Sequence, residues 1–313
     1  MDQTELDHEA SYALDTFTNQ FLAQYPVHCE LRTLPLGQRL LHAHNGFEFY
    51  LCLQGSGSYI VGDRLYPLHA GTLTVIRPHV IHRPFSGKDQ VFHRYVMSID
   101  ESYLERIQAA CFTSDLRING FLAETDGSSH YFLSASQLHR LELMLSELTY
   151  VLHTKTATYE LAVLKCMSEF LLLLFSLYDE PDAQGAAKSE DEQIIGDVLS
   201  YLIAHYQEDV QINDIVRLFP ISRSRLFDRF KEITGHTIKQ FLTEYRLNKA
   251  KRLLAESALP ITEVAHHAGF GDMSHFFNVF KKITGLTPKQ YRLEAVKRKK
   301  GNPSLSGLPD LQG

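Results

Sequence analysis

FKEITGHTIKQF (230–241) and FKKITGLTPKQY (280–291) agree at eight of twelve positions, fifty residues apart and without a gap. The agreement runs upstream, where SRSRLFDRF (222–230) stands fifty residues before DMSHFFNVF (272–280). Each upstream segment opens on a good helix N-cap, Ser222 or Asp272. Leu226, Phe230 and Ile233 recur as Phe276, Phe280 and Ile283, an apolar face at i, i+4 and i+7. A short helix is expected before each, over 212–218 and 261–268, with FPI or GFG as the connection. Two short helices joined by a tight turn make a helix-turn-helix. Between the copies, TIKQFLTEYRLNKAKRLLAES reads as one helix of about 18 residues, ~27 Å long. Such a strut can hold two recognition helices roughly one DNA turn apart, ~34 Å. A single chain that enters two successive major grooves needs this repeat.

Charge supports the same reading. The chain of 313 residues carries a net −6, but residues 211–300 hold eighteen Lys and Arg against eight Asp and Glu, a balance of +10. Residues 1–210 hold thirteen against twenty-eight, a balance of −15. A basic segment joined to an acidic one is the footprint of a polyanion-binding module. The acidic opening, MDQTELDHEASYALD, has neither a basic start nor an apolar run, so no secretory leader is expected. The apolar stretch 170–177 is too short to cross a bilayer, and a cytoplasmic protein without a membrane partner is expected. Cys29, Cys52, Cys111 and Cys166 lie far apart without a CxxC, which argues for structural thiols in a reducing compartment.

Upstream of the repeat the chain changes character twice. FEFYLCL (47–53), SYIV (58–61), LTVI (73–76) and VFHRYVMSI (91–99) read as strands, with Gly62-Asp63 as a hairpin turn. Many short strands with regular turns predict a closed or double-sheet barrel. Leu138, Leu141, Leu145, Leu148 and Leu152 then mark an amphipathic helix over 136–153, and a second helix follows through Leu177. This leucine stripe is expected to pair two copies of the chain. DEPDAQGAAKSE (179–190) reads as a linker.

The C-terminal third resembles the AraC/XylS class of bacterial transcription regulators. RLNKAKRLL stands in the connecting helix. ITEVAHHAGFGDMSHFFNVFKKITGLTPKQYR follows the family signature, with Ala265, Gly269, Phe270, Ser274, Phe276, Phe280, Lys281, Gly285, Pro288 and Tyr291 in place. Two departures stand out. The first turn carries Pro220, and Phe219 before it stands where the second copy has Gly269, so no positive φ is expected there. Arg is common in the family where this chain has Asp228 and Asn278.

Helical geometry selects the DNA-reading side chains. With Leu226, Phe230 and Ile233 inward, Ser224, Asp228 and Lys231 project outward, as do Ser274, Asn278 and Lys281 in the second copy, flanked by Met273 and His275. Asn binds adenine bidentately and Asp accepts from cytosine N4; an ion pair of Asp228 with Arg225 or Lys231 is the competing reading. Arg223, Arg225, Lys281 and Lys282 suit phosphates. Thr237 and Thr287 cap helices whose N-termini can hold another phosphate.

HAHNGFEFYLCLQG (42–55) places His42 and His44 before Glu48 and Gly55, and GTLTVIRPHVIHRP (71–84) follows. Together they resemble the two motifs of a cupin barrel, which is also the usual ligand-binding half of such regulators. The second motif lacks its inner glycine and has His79-Val80-Ile81 between Pro78 and His82. In metal cupins the matching ligands would be His42, His44, Glu48 and His82, a set that suits iron, manganese or zinc. In regulators such residues often contact an organic effector instead, and no cofactor is expected. Arg77, Arg83, Tyr59 and Tyr66 are further pocket candidates; His, Arg and Tyr serve a sugar or a carboxylate equally well.

The expected organisation is a cupin-like effector domain (1–135), a helical dimerisation segment (136–178), a linker (179–191), a double helix-turn-helix domain (192–300) and a disordered tail (301–313). The resemblance implies promoter DNA, a small-molecule effector, a second copy and RNA polymerase as partners. The competing function is a metal-dependent cupin enzyme tethered to DNA.

Overall fold

The computed structural model describes residues 18–19, 21–22, 24–36, 40–86, 91–110, 128–179 and 189–301. Most of the expected linker and almost all of the expected tail lie outside them.

The N-terminal half is a pair of facing sheets. β1 (Val27–Arg32), β2 (Phe47–Gln54), β5 (Thr72–Ile76), β7 (His93–Ile99) and β8 (Ser128–Phe132) form one sheet, in the order β1-β7-β2-β5-β8. β3 (Ser56–Val61), β4 (Arg64–His69) and β6 (His82–Phe85) form the other, in the order β4-β3-β6. The pairings among the described residues are all antiparallel and join no strand of one sheet to the other. The expected barrel is therefore two layered sheets rather than a closed cylinder. The hairpin at Gly62-Asp63 does form, and Gly62 takes a φ of 58° there.

β2 explains why the layers hold. Its residues alternate between two apolar environments, so six in a row are buried. Phe47, Phe49 and Leu51 face α2 (Ala135–Thr154) and α3 (Tyr159–Asp179); Tyr50 and Cys52 face the small sheet. β7 does the same, with Tyr95, Met97 and Ile99 toward the helices and Val96 toward the small sheet. This period of two also decides which polar side chains point into the space between the sheets. α1 (Glu101–Ala109) follows β7 and is capped by Asp100.

The leucine stripe of α2 is used within its own chain. Leu141, Leu145 and Leu148 are buried, and Leu138 and Leu152 pack beside them, against the large sheet and α3. The physical reason is the apolar outer face of that sheet, which needs a cover.

The C-terminal half is helical: α4 (Glu190–Ala204), α5 (Ile212–Leu218), α6 (Arg223–Thr234), α7 (Ile238–Glu256), α8 (Ile261–His267), α9 (Met273–Thr284) and α10 (Pro288–Gly301). α7 is the strut. Ile238, Phe241, Leu242 and Tyr245 enter one core with Leu226 and Phe230, whereas Leu247, Ala250 and Leu254 enter a second core with Phe276 and Phe280.

Candidate functional site

The repeat is visible at the level of single hydrogen bonds. Ser222 caps α6 and Asp272 caps α9. Both helices stop at a left-handed glycine, Gly235 (φ 71°) and Gly285 (φ 72°). One residue earlier, Thr234 donates to Phe230 and His236 carbonyls, and Thr284 donates to those of Phe280 and Leu286. Thr237 and Thr287 then open the next helices in reciprocal capping boxes with Gln240 and Gln290. The turns differ. Gly269 has a φ of 86°, and a Cβ there would lie 2.6 Å from the Tyr206 carbonyl oxygen. In the first unit Phe219, the counterpart of Gly269, is extended (φ −116°) and Pro220 follows it.

Leu226, Phe230, Phe276 and Phe280 are fully buried, so the opposite faces of α6 and α9 look outward. Ser224, Asp228 and Lys231 are exposed there, as are Ser274, His275, Asn278, Lys281 and Lys282; Met273 is half-buried. Arg223 is exposed with its guanidinium over the Phe227 ring, 5.8 Å from the centroid. Arg225 pairs with Asp191 at 2.7 Å, and Arg229 reaches the same carboxylate at 2.9 Å. Asp228 makes no ion pair among the described residues.

Two residues that sequence reasoning passed over join this face. Phe227 is 38% exposed and Phe277 41% exposed, at equivalent places in the two units. Each lies between the outward Ser and Lys of its helix. An apolar ring repeated at the same outward position was the available signal.

Between the sheets lies a narrow cleft, lined in part by Arg32, His42, Glu48, Tyr50, Tyr59, Arg94 and Ser98. Alternation puts Glu48 and Tyr50 of β2 and Arg94 and Ser98 of β7 on this inner side. The Tyr50 hydroxyl is buried without a hydrogen-bond partner. The Arg94 guanidinium is held by the Leu34 and Phe92 carbonyls, and burial lowers its pKa. The Tyr59 hydroxyl donates to Glu48 Oε1 at 2.8 Å.

His42, His44, Glu48 and His82 converge at one wall of this cleft, all buried, with ligand-type atoms within 4.8 Å of one another. His44 Nε2 lies 3.0 Å from Glu48 Oε2, and His82 Nε2 lies 3.6 Å from Glu48 Oε1. These partners hold the Glu48 carboxyl well below the usual range against the opposing pull of burial, which is the largest influence on it. Burial, then the neighbouring imidazoles, hold His42 well below its ordinary value. The missing glycine of this motif is replaced in conformation, because His79 itself takes a φ of 63°.

The other pocket candidates sit elsewhere. Arg83 follows His82 on β6 and therefore points the opposite way, donating to the Thr234 carbonyl at the end of α6. Its burial lowers the pKa to about 10. Tyr66 stacks on His130 outside the cleft lining, and Arg77 is half-buried.

Arg83 belongs to a clasp between the two halves. Leu41 N donates to Glu244 Oε2 at 3.0 Å, and Asn248 Nδ2 donates to the Leu41 carbonyl at 2.9 Å. His236 Nε2 lies 2.8 Å from the other Glu244 oxygen. Leu41, Ile60, Leu65 and Ile81 share one apolar cluster with α4, α6 and α7. The clasp residues Leu41 and Arg83 are the immediate neighbours of His42 and His82, which are themselves joined by a β-bridge.

Comparison with known proteins matches this division. The AraC-like ligand binding domain model matches residues 38–146, and the helix-turn-helix domain model matches residues 215–294. The chain is 25% identical over 270 residues to the HTH-type transcriptional activator RhaS of Enterobacter sp. (strain 638), covering 85% of this chain and 92% of RhaS. It is 27% identical over 257 residues to the HTH-type transcriptional activator RhaR of Cronobacter sakazakii, covering 80% and 86%. A crystal structure of apo ToxT from Vibrio cholerae aligns over 86% of this chain and 97% of its own at 14% identity, with a TM-score of 0.39.

Proposed function

From the premise that this chain belongs to the AraC/XylS family and is a ligand-responsive, DNA-binding transcription regulator rather than an enzyme, we propose how its parts divide the work. α6 and α9 enter successive major grooves of promoter DNA. Ser224, Asp228 and Lys231 meet one half-site, and Ser274, Asn278 and Lys281 the other. Arg223, Lys282 and the helix starts at Thr237 and Thr287 hold phosphates. The observation that carries this reading is the fifty-residue repeat of caps, stops and buried faces, which leaves two matching outward surfaces in the basic part of the chain.

The cleft between the sheets takes a small polar effector. Tyr50 supplies a buried hydroxyl in need of a partner, and Arg32 and Arg94 favour an acidic or oxygen-rich group. Glu48, Tyr59 and the three histidines complete its wall. Effector binding reaches DNA through the clasp, because His42 and His82 are each one residue from a contact with the DNA-binding half. A ligand acts only through different affinity for two arrangements of the halves.

A homodimer and contact with RNA polymerase in the cytoplasm complete the proposal. The surface for a second copy is the outward side of α3, where Leu161, Leu164 and Leu172 are exposed, with Leu143 and Tyr150 exposed on α2. No described helix is long and apolar enough to cross a membrane.

The test is equilibrium binding of the full chain to sites selected from random duplexes at ~0.15 M salt. The selected site is expected to bind at least ~10³-fold more tightly than a scrambled duplex, with steep weakening by salt. Equal binding to both would overturn the proposal.

A further inference from the structure

The inner face of the large sheet carries donors that lack acceptors. Arg32 of β1 and Arg94 of β7 stand directly opposite one another in the antiparallel register. Like charges so placed repel unless a negative group meets them. Arg32 pairs with the exposed Glu30 at 3.0 Å. Arg94 is 8% exposed, its Nη1 donates to the Leu34 and Phe92 carbonyls, and no carboxylate pairs with it among the described residues. Tyr50 stands on the next strand, β2, opposite Val96 and hence diagonal to Arg94. It lines the cleft at 2% exposure, and its hydroxyl has no hydrogen-bond partner. Burial pushes that hydroxyl well above its ordinary pKa, so it stays a donor; the Arg94 charge is the next influence on it, and Arg32 adds a smaller one of the same sign. The carboxylate of the cleft is meanwhile engaged. Glu48 Oε1 accepts from the Tyr59 hydroxyl at 2.8 Å, and Oε2 lies 3.0 Å from His44 Nε2. A neutral polyol brings a hydroxyl donor with every acceptor, and Glu48 is not free to receive it. An ionised carboxylate brings acceptors alone, with a negative charge.

We propose that the effector is a small organic acid whose carboxylate sits against Tyr50, Arg94 and Arg32, and that a neutral sugar is not the ligand of this cleft. One carboxylate oxygen accepts from the Tyr50 hydroxyl and the other from a guanidinium. Both bonds are charge-assisted and stronger than those a neutral hydroxyl would accept. The negative charge also separates two arginines that otherwise face each other, so the acid relieves a repulsion that the free chain carries. The body of the acid lies along Leu36, Val96 and Pro84, the apolar part of the same lining. Tyr50 and Arg94 set the charge class, and this apolar part sets the shape. The inference rests on the cleft being the effector site and commits that reading to one class of ligand.

The experiment screens the full chain by ligand-observed NMR against small monocarboxylates that run from butyrate through phenylacetate to gluconate. Each is set beside a neutral counterpart: butyramide, phenylacetamide and glucose. Affinities come from titration, and thermal unfolding is read alongside. The expected result is binding drawn from the acids, with each neutral counterpart at least ~10-fold weaker. Tyr50→Phe and Arg94→Gln should each weaken the bound acid ~10-fold or more, whereas Arg140→Gln, an exposed arginine on α2, should not. Should Arg94→Gln fail to fold by circular dichroism, Arg32→Gln takes its place. Tyr50→Phe removes a hydroxyl without a partner, so in the absence of ligand it should not lower the unfolding temperature; a lower one would show the hydroxyl already paired within the chain and overturn the proposal. Neutral compounds that bind as tightly as the acids and are weakened by Tyr50→Phe would overturn the charge class while leaving the cleft as the effector site. No binding by any compound, or binding that ignores every cleft substitution, would count against both.

Discussion

Phe227 and Phe277 occupy the same outward place on α6 and α9, one residue before Asp228 and Asn278. A ring exposed beside polar reading residues suits the thymine methyl in the major groove. Phe277→Ala is expected to lower affinity about fivefold for sites with thymine at one position and to relax that preference, as the loss of about 1 kcal/mol of apolar contact implies. Site selection with the variant checks it; an unchanged preference would remove Phe277 from the reading set. Asn278→Ala should cost ~1–3 kcal/mol of discrimination at an adenine, measured by binding to single-base variants of the selected site. Gly269→Ala should destabilise the C-terminal half by ~2 kcal/mol or more, because of its positive φ and the nearby Tyr206 carbonyl; denaturant unfolding measures it. At this scale the outward faces of α6 and α9 were legible, because burial of Leu226 and Phe230 follows from spacing alone. Arg83 was not. Its direction depends on which face of β6 is inward, and a four-residue strand carries too little pattern to say. His79 likewise hides its role, since a left-handed histidine looks like any other histidine in a sequence.

Elements show what periodicity can and cannot decide. The leucines of α2 mark a helix with one apolar face, but a face does not name its cover. The apolar outer face of the large sheet, built from Phe47, Phe49 and Leu51, claims that face and is buried under it. The surface proposed for a second copy is thus the opposite one, where Leu161, Leu164 and Leu172 of α3 are exposed. Leu161→Arg combined with Leu172→Arg should convert a dimer to a monomer at ~10 µM while leaving the far-ultraviolet circular dichroism unchanged. Sedimentation decides: a double variant that still sediments as the wild-type dimer would place the interface elsewhere. The strut α7 and its flanking units were legible because both capping boxes and both glycine stops repeat in the sequence. β1, β4, β6 and β8 were harder to see, since histidines, arginines, serines and prolines dilute their alternation.

For the whole molecule, the two halves meet through named groups rather than across an open linker. Glu244 and Asn248 are buried on α7 and close on the backbone of Leu41. Neither residue belongs to the reading face, and nothing in a single sequence pairs position 41 with positions 244 and 248. Replacing both with Ala leaves a buried N–H and carbonyl unsatisfied, at ~1–3 kcal/mol each. Calorimetry of Glu244→Ala with Asn248→Ala should show the unfolding of the halves separating into two transitions, whereas an unaltered profile would mean that the clasp contributes nothing to their coupling. The central claim is that one chain presents two equivalent recognition helices to one face of a duplex, and it is tested most directly by hydroxyl-radical footprinting of the full chain on its selected site. The expected result is two protected windows about 10 base pairs apart on the same face, with Asn278→Ala weakening one and Asp228→Ala the other. A single protected window, or two windows that respond to neither substitution, would contradict it.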